Sequence, residues 1–171
     1  MISLVPNSTV PMLSLQIAGG GVLDLAKNPP AAFYMLVFYR GLHCPICKTY
    51  LRDLDKKTAK FRAKGVEPFA VTSDDQGRAE QARKEWGIQM VPFAYGLEID
   101  AARNWGLYIS RAIREGEPQL SIEPAIFLVR PNRTLYAASI QTMPFARPQF
   151  SEILGAVDYI TKNNYPARGE A

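Results

Sequence analysis

The chain has 171 residues, of which 47% are hydrophobic and 21% are charged. These proportions are those of an ordinary soluble globular protein, and the length suits one domain over residues 1–171 better than two. The net charge of +4 is spread without a basic block, and no apolar run approaches the roughly 20 residues of a membrane span. We therefore expect neither nucleic-acid nor membrane partners.

The first ten residues, MISLVPNSTV, lack the basic segment and apolar run of a secretory signal peptide. We therefore expect a cytoplasmic location, where thiols are kept reduced. In that compartment two closely spaced cysteines are more often catalytic or metal-binding than a structural disulfide.

The first third of the chain predicts a hairpin, a buried strand and a long helix. Apolar and polar residues alternate in MLSLQI and in VLDL, on either side of AGGG. This pattern predicts a two-stranded hairpin within an N-terminal extension over 1–30. The apolar run AFYMLVFY, 32–39, predicts a strand that is buried on both faces. After the cysteines, apolar residues recur every three or four positions as far as Gly65, which predicts an amphipathic helix of about five turns.

The middle third continues the alternation of strands and helices. VEPFAVTS predicts a strand, and SDDQ at 73–76 predicts a capping box for a helix that ends near Trp86. A short strand at 92–96 and a helix at 100–105 follow.

The last third predicts an antiparallel pair and a final helix. AIFLVRPNRTLYAASI predicts a hairpin that turns at Pro131 and Asn132. Pro148 opens the last helix, and a frayed tail covers 163–171. Alternating elements followed by an antiparallel pair predict an α/β fold with a central mixed sheet flanked by helices on both faces.

Both cysteines and the only histidine lie within HCPIC, 43–47. This segment stands where the buried strand passes into the long helix, at the sheet edge where α/β proteins place their sites. Cys44 would be the N-cap and Pro45 the first helical residue. The free amides and the positive dipole end of the first turn favour a thiolate at Cys44. We therefore expect Cys44 to attack first, and Cys47, which is more shielded, to react second.

Other interpretations of these residues stay open. The cysteines could be inert core residues, or half of a zinc site whose second pair of ligands is missing. His43 is either a solvent-facing loop residue or, as an imidazolium, a group that lowers the pKa of the Cys44 thiol. Arg147 and Arg168 are expected to be solvated charges.

The order of strand, CPIC, helix and a later proline ahead of an antiparallel strand resembles the thioredoxin superfamily. More closely, VFYRGLHCPICKTYLRDL, GVEPFAVTSDD, EPAIFLVRPNRTLYAA and PFARP are similar to segments of the AhpC/TSA (alkyl hydroperoxide reductase C/thiol-specific antioxidant) family, in its peroxiredoxin-like branch. The resemblance implies a thioredoxin fold with an N-terminal hairpin extension, and thiol-dependent oxidoreductase activity without an organic cofactor or metal. It also implies that Pro124 is the cis-proline that shapes the groove beside Cys44.

The chain departs from the peroxide-reducing members of that family. Their P-x-x-x-T/S-x-x-C motif places its last cysteine at Cys47, its Thr/Ser at Cys44 and its proline at Arg40. Their later arginine is replaced at or near Pro124. These departures favour a thiol–disulfide oxidoreductase, in which an exposed Cys44 is the nucleophile and Cys47 the resolving thiol. The alternative is a hydroperoxide reductase, in which Cys47 attacks, Cys44 resolves and Arg40 supplies the cation.

A third hypothesis is a redox-switched binding module, in which oxidation changes a partner surface or a homodimer contact. For the two enzymatic hypotheses, thioredoxin or a low-molecular-weight thiol would supply electrons. The substrate would be a protein disulfide or a hydroperoxide.

Overall fold

The computed structural model describes residues 4–171, so positions 1–3 of the predicted N-terminal extension lie outside the described residues. Strands and helices alternate through most of the chain. In chain order the elements are β1 (Ser14–Gln16), β2 (Val22–Asp24), β3 (Phe33–Phe38), α1 (Pro45–Ala63), β4 (Val66–Val71), α2 (Gln76–Glu85), β5 (Phe93–Ala94), α3 (Ile99–Asn104), β6 (Ile109–Arg111), β7 (Leu120–Ile122), β8 (Ala125–Val129), β9 (Leu135–Ile140) and α4 (Phe150–Asn163).

A five-stranded mixed sheet in the order β5-β4-β3-β8-β9 forms the centre of the structure. Strand β3 lies in the middle, parallel to β4 and antiparallel to β8. All six residues of β3 are buried, as the continuous apolar run predicts for a strand covered on both faces. The α/β class and the mixed central sheet are therefore confirmed.

Helices cover both faces of this sheet. Side chains alternate along β3, so that Met35 and Val37 face α1, α2 and α4, while Leu36 and Phe38 face α3 and the two small hairpins. The N-terminal hairpin, β1 with β2, lies at the sheet edge, because Ile17, just after β1, makes an antiparallel bridge with Ala94 of β5. The cysteines lie in the first of these two cores.

Helix α1 forms where the periodic apolar stripe predicts it. Its buried side chains are Cys47, Leu51, Leu54, Thr58 and Phe61, and each fully buried large apolar side chain contributes about 1.5–3 kcal/mol. The opposite face of this 19-residue helix is charged. No helix among residues 4–171 is long and apolar enough to span a membrane.

Three local predictions need correction. The capping box predicted at 73–76 does not form, because the N-cap of α2 is Asp75, whose Oδ1 accepts a hydrogen bond from the Arg78 amide at 2.9 Å. The β6–β7 hairpin lacks a short turn signal such as Asn-Gly and was not predicted. The tail after α4 is not frayed, because the Tyr136 hydroxyl donates to the Tyr165 carbonyl at 3.0 Å and Ala167 is only 3% exposed.

A carboxylate on α1 fixes the connection between α2 and β5. Asp55 accepts hydrogen bonds from the backbone amides of Gln89, Met90 and Val91, at 3.2, 2.7 and 2.9 Å. Three consecutive amides that point at one charged acceptor satisfy donors that no sheet or helix partner serves. This contact holds the helix that carries the cysteines against the rest of the fold.

We predict that Asp55→Ala lowers the free energy of unfolding by about 1–2 kcal/mol, since it leaves three amides without their charged acceptor. The matched control is Asp53→Ala on the same helix. Asp53 pairs with Lys57 but is 45% exposed, so its loss should cost less than about 1 kcal/mol. Urea denaturation of both variants measures the difference, and equal losses would contradict a special role for Asp55.

Candidate active site

Cys44 and Cys47 form a disulfide at the start of α1, with their Cα atoms 5.2 Å apart. Cys44 is the N-cap, as predicted, and its Sγ accepts a hydrogen bond from the Cys47 amide at 3.2 Å. The expected difference in exposure is absent, because Cys44 is 1% exposed and Cys47 is 0% exposed. The structure therefore corrects the prediction of an exposed Cys44.

A guanidinium group lies against both sulfurs. Nη2 of Arg147 is 3.1 Å from Sγ of Cys47 and 3.9 Å from Sγ of Cys44. Arg147 belongs to the loop between β9 and α4, and its Nε donates to the Pro144 carbonyl at 2.6 Å. The prediction that Arg147 is a solvated charge is therefore wrong.

The surrounding residues hold Arg147 in place. Its guanidinium carbon lies 5.1 Å from the ring centroid of Tyr50, a cation–π contact. The Tyr50 hydroxyl donates to the Pro148 carbonyl, on the same loop. Ala146 adopts a φ of 58°, a left-handed conformation that non-glycine residues rarely adopt without a local reason.

Arg147 carries its positive charge without a carboxylate partner. No ion pair found among residues 4–171 includes it. Burial is the main cause that lowers its pKa, to about 10, so the guanidinium is still charged at neutral pH. A buried cation next to a sulfur favours the thiolate over the thiol once the disulfide is reduced.

Arg40 does not supply the cation that one of the hypotheses requires of it. Its Nε lies 3.3 Å from Oε1 of Glu123, a buried carboxylate. That oxygen also accepts a hydrogen bond from the Ser110 hydroxyl at 2.6 Å. The charge of Arg40 is therefore already compensated, and Arg147 takes the position beside the sulfurs.

The surroundings of His43 disfavour its charged form, which argues against the imidazolium hypothesis. Both of its ring nitrogens are buried and neither has a hydrogen-bond partner. Burial, followed by the nearby charge of Arg40, lowers the pKa of His43 below its usual value. A neutral ring cannot lower the pKa of the Cys44 thiol by charge.

The loop before the cysteines is fixed by a buried acid. Asp74 accepts a hydrogen bond from the Leu42 amide at 2.7 Å, and its other oxygen accepts one from Nε of Arg78 at 3.1 Å. Gly41 approaches the same carboxylate so closely that an added Cβ would lie 2.6 Å from it. Its φ of 136° also favours glycine.

Comparison with known proteins identifies the family of this chain. A model of the AhpC/TSA family matches residues 6–138. The chain belongs to the AhpC/TSA family. It is accordingly a thiol-dependent oxidoreductase, and the predicted family is confirmed. No curated protein sequence is similar enough to count as a match.

Solved peroxiredoxin structures have the same fold as this AhpC/TSA chain. A mutant of Peroxiredoxin 6 from Arenicola marina has a TM-score of 0.77 at 18% identity, over 95% of this chain and 76% of that one. AhpC from Mycobacterium bovis also has a TM-score of 0.77, at 14% identity over 98% of each chain. Reduced Prx3 from Vibrio vulnificus, in complex with hydrogen peroxide, has a TM-score of 0.74 at 15% identity, over 92% of this chain and 99% of that one. These similarities confirm the thioredoxin fold.

Pro124 lies beside the site of this AhpC/TSA protein but is not a cis-proline. No peptide bond among residues 4–171 is cis, so the isomer implied by the family resemblance is wrong. Pro124 lines a small cavity together with Tyr50 and Arg147. Pro124 therefore lies close to Arg147, with a trans peptide bond before it.

Sequence reasoning missed the roles of Arg147 and Asp74. Arg147 is 100 positions from Cys47, in a loop whose composition gives no signal for a catalytic arginine. Its segment, PFARP, is similar to the family, and that similarity was the one available hint. SDDQ predicts a capping box at 73–76, whereas Asp75 provides the cap of α2 and Asp74 instead binds the loop before the cysteines.

We predict that Gly41→Ala destabilises the fold by about 1–3 kcal/mol more than Gly20→Ala, because the new methyl group overpacks against the Asp74 carboxylate. Gly20 is a matched control, since its φ of 112° is also positive but nothing lies within 4 Å of an added Cβ. Thermal or urea denaturation gives the comparison. Equal destabilisation would show that the backbone conformation alone, and not Asp74, requires glycine at position 41.

Proposed function

We propose that this chain is a thiol-dependent hydroperoxide reductase, in which Cys47 attacks the peroxide and Cys44 is the resolving thiol. The observation that carries this proposal is the position of Arg147, whose charged Nη2 is 3.1 Å from Cys47 and 3.9 Å from Cys44. The thiolate nearest to an uncompensated cation is the stronger candidate for the attacking group. This assignment replaces the sequence-based preference for Cys44 as the nucleophile.

Burial of both sulfurs supports a small substrate. A protein disulfide must bring its own sulfur into line with the attacking thiolate, and neither cysteine presents its sulfur at the surface. A hydroperoxide needs room for only two oxygen atoms at the sulfur. A groove of about 410 Å³, lined by residues that include Ile46, Phe145 and Arg147, provides an approach from solvent to the guanidinium.

The first step oxidises Cys47 and reduces the peroxide. The Cys47 thiolate attacks the terminal oxygen of ROOH, the S–O bond forms and the O–O bond breaks. The electron pair of the O–O bond leaves with the RO group, which takes up one proton and departs as ROH, so that Cys47 becomes a sulfenic acid. The charge of Arg147 stabilises the thiolate beforehand and the departing oxygen during bond breaking.

The second step forms the disulfide that the structure contains. The Cys44 thiolate attacks the sulfur of the Cys47 sulfenic acid, and hydroxide leaves and is protonated to water. Two molecules of a low-molecular-weight thiol then reduce the disulfide and leave as their own disulfide. The first of these attacks Cys44, because Cys47 is the better leaving thiolate beside Arg147.

Two comparisons support the choice of substrate. The family name covers alkyl hydroperoxide reductases, and the similar Prx3 from Vibrio vulnificus is described in complex with hydrogen peroxide. That protein and this chain share a fold, with a TM-score of 0.74 at 15% sequence identity.

A second candidate is a dithiol oxidoreductase that uses Cys44 as its nucleophile. The hydrogen bond from the Cys47 amide to Sγ of Cys44 favours it, since an N-cap thiolate accepts such a bond and lies at the positive end of the helix dipole. Both candidates form the same disulfide. They differ in the cysteine that is oxidised first.

We predict that a pulse of hydrogen peroxide at slight excess converts Cys47 of the reduced Cys44→Ser variant to a sulfenic acid within seconds. The reduced Cys47→Ser variant should react far more slowly at Cys44. A sulfenic-acid trapping reagent and mass spectrometry locate the modified residue. Slow oxidation of both variants, with rapid mixed-disulfide formation at Cys44 alone, would favour the dithiol oxidoreductase.

We also predict that Arg147→Met slows alkylation of Cys47 by iodoacetamide at neutral pH at least tenfold, because loss of the cation raises the thiol pKa by about one unit or more. Arg147→Lys, which keeps the charge, should lose less. Arg168→Met is the control, since Arg168 is exposed and contacts only the Tyr165 hydroxyl, at 3.4 Å. A pH–rate profile that does not move in Arg147→Met rules out the proposed role of Arg147.

A further inference from the structure

A small internal cavity lies beside Arg147, apart from the open groove. Tyr50 and Arg147 line both spaces, and Pro124 and Gln141 line only the internal one. Its volume is about 10 Å³, which is close to the lower limit for holding one water molecule. The cavity therefore has room for one oxygen atom, and the rest of a larger ligand would have to lie outside it.

Two unpartnered polar atoms belong to residues that line this cavity. Nη1 of Arg147 and Oε1 of Gln141 are both buried, and neither has a hydrogen-bond partner. Leaving a buried polar atom without a partner costs about 1–3 kcal/mol. One is a donor and the other an acceptor, so a ligand that both accepts and donates a hydrogen bond would satisfy the pair.

The orientation of the Gln141 amide is fixed by its other contact. Nε2 of Gln141 donates to the Ala146 carbonyl at 3.0 Å, and a carbonyl oxygen can only accept, so the nitrogen must face Ala146. Oε1 is then the free end of the amide. The Gln141 backbone amide donates to the Pro124 carbonyl at 3.0 Å, which anchors the residue at the start of the site.

We propose that Gln141 is a substrate-binding residue, whose Oε1 accepts the hydrogen bond of the hydroperoxide O–H group while Nη1 of Arg147 donates to the other peroxide oxygen. This inference rests on the proposed function and specifies how the substrate is recognised. A hydroperoxide has one O–H donor and oxygen lone pairs that accept, which is the complement of the two unpartnered atoms. A disulfide has no O–H group and satisfies neither atom well.

In this arrangement one guanidinium contacts both reactants, the cysteine sulfur and the peroxide. Nη2 lies 3.1 Å from Sγ of Cys47, and Nη1 is buried without a hydrogen-bond partner, so a peroxide oxygen bound at Nη1 would share one guanidinium with the attacking sulfur. Gln141 holds the terminal oxygen through its hydrogen, and the oxygen that departs lies at the cation. The rate of peroxide attack therefore depends on Gln141, whereas the reactivity of the thiolate toward other reagents does not.

The test compares two reactions of the same reduced full-length chain, oxidation by tert-butyl hydroperoxide and alkylation by iodoacetamide. In Gln141→Met we expect peroxide oxidation to slow at least tenfold and alkylation to stay within twofold. Gln119→Met is the matched control, because Gln119 is exposed just before β7 and lines neither the groove nor the cavity. It should change neither rate.

A second variant separates substrate binding from the positioning of Arg147. Gln141→Met also removes the hydrogen bond to Ala146, whose φ is 58°, and this loss could let Arg147 move. The added substitution Ala146→Gly keeps that backbone conformation without strain. We expect the double variant to alkylate at the wild-type rate and still to react slowly with the hydroperoxide.

The remaining outcomes decide against the inference. If both rates fall in Gln141→Met and both recover in the double variant, Gln141 only positions Arg147. If the wild-type chain reacts rapidly with the hydroperoxide and Gln141→Met does the same, Gln141 does not contact the substrate. If the wild-type chain itself reacts with hydroperoxide no faster than free cysteine, the proposed function fails, and this inference fails with it.

Discussion

The contact between the Arg147 guanidinium and the two sulfurs is the constraint on which the site depends. A charge that is partly buried without a carboxylate is costly unless an anion forms beside it. Reduction of the disulfide turns a cysteine of this pair into an anion. The charge of Arg147 is therefore compensated in the reduced protein and not in the oxidised one. The loop around Arg147 is built for this contact, with the guanidinium over the Tyr50 ring, its Nε on the Pro144 carbonyl and Ala146 in a left-handed conformation.

Arg40 and Arg147 show how the environment, and not the residue type, sets the role of an arginine. Arg40 lies shortly after β3 and is close to the cysteines in sequence, yet it forms an ion pair with the buried carboxylate of Glu123. That pair joins the active-site loop to the short segment between β7 and β8, much as Asp74 joins the loop to α2 through Leu42 and Arg78. Both acids serve the loop as structural acceptors. Arg147 has no such partner, and its charge is therefore available for chemistry.

Local sequence signals predicted the parts of the fold that local physics decides. The sequence predicts β3 from its apolar run and α1 from its periodic apolar stripe, because buried residues recur along a strand or helix with the period of that element. It predicts the turn at Pro131 from the turn-forming residues there. The cysteine pair and its N-cap position were readable for the same reason. Arg147 was not, since its contact with Cys47 joins positions 100 apart and exists only after α4 packs on α1. The charge state of His43 and the docked tail also depend on burial, which a single sequence does not reveal.

The same contact bears on the direction of electron flow. A cation that stabilises the thiolate stabilises the reduced protein relative to the disulfide, and so makes the disulfide a stronger oxidant. The amide of Cys47, which donates to Cys44, acts in the same direction through the helix N-terminus. Burial of the two sulfurs acts in the opposite direction, because it destabilises any thiolate relative to the disulfide. Because both sulfurs are buried, the low-molecular-weight thiol that we propose as the reductant has the advantage of reaching Cys44 without displacing the loop that carries Arg147.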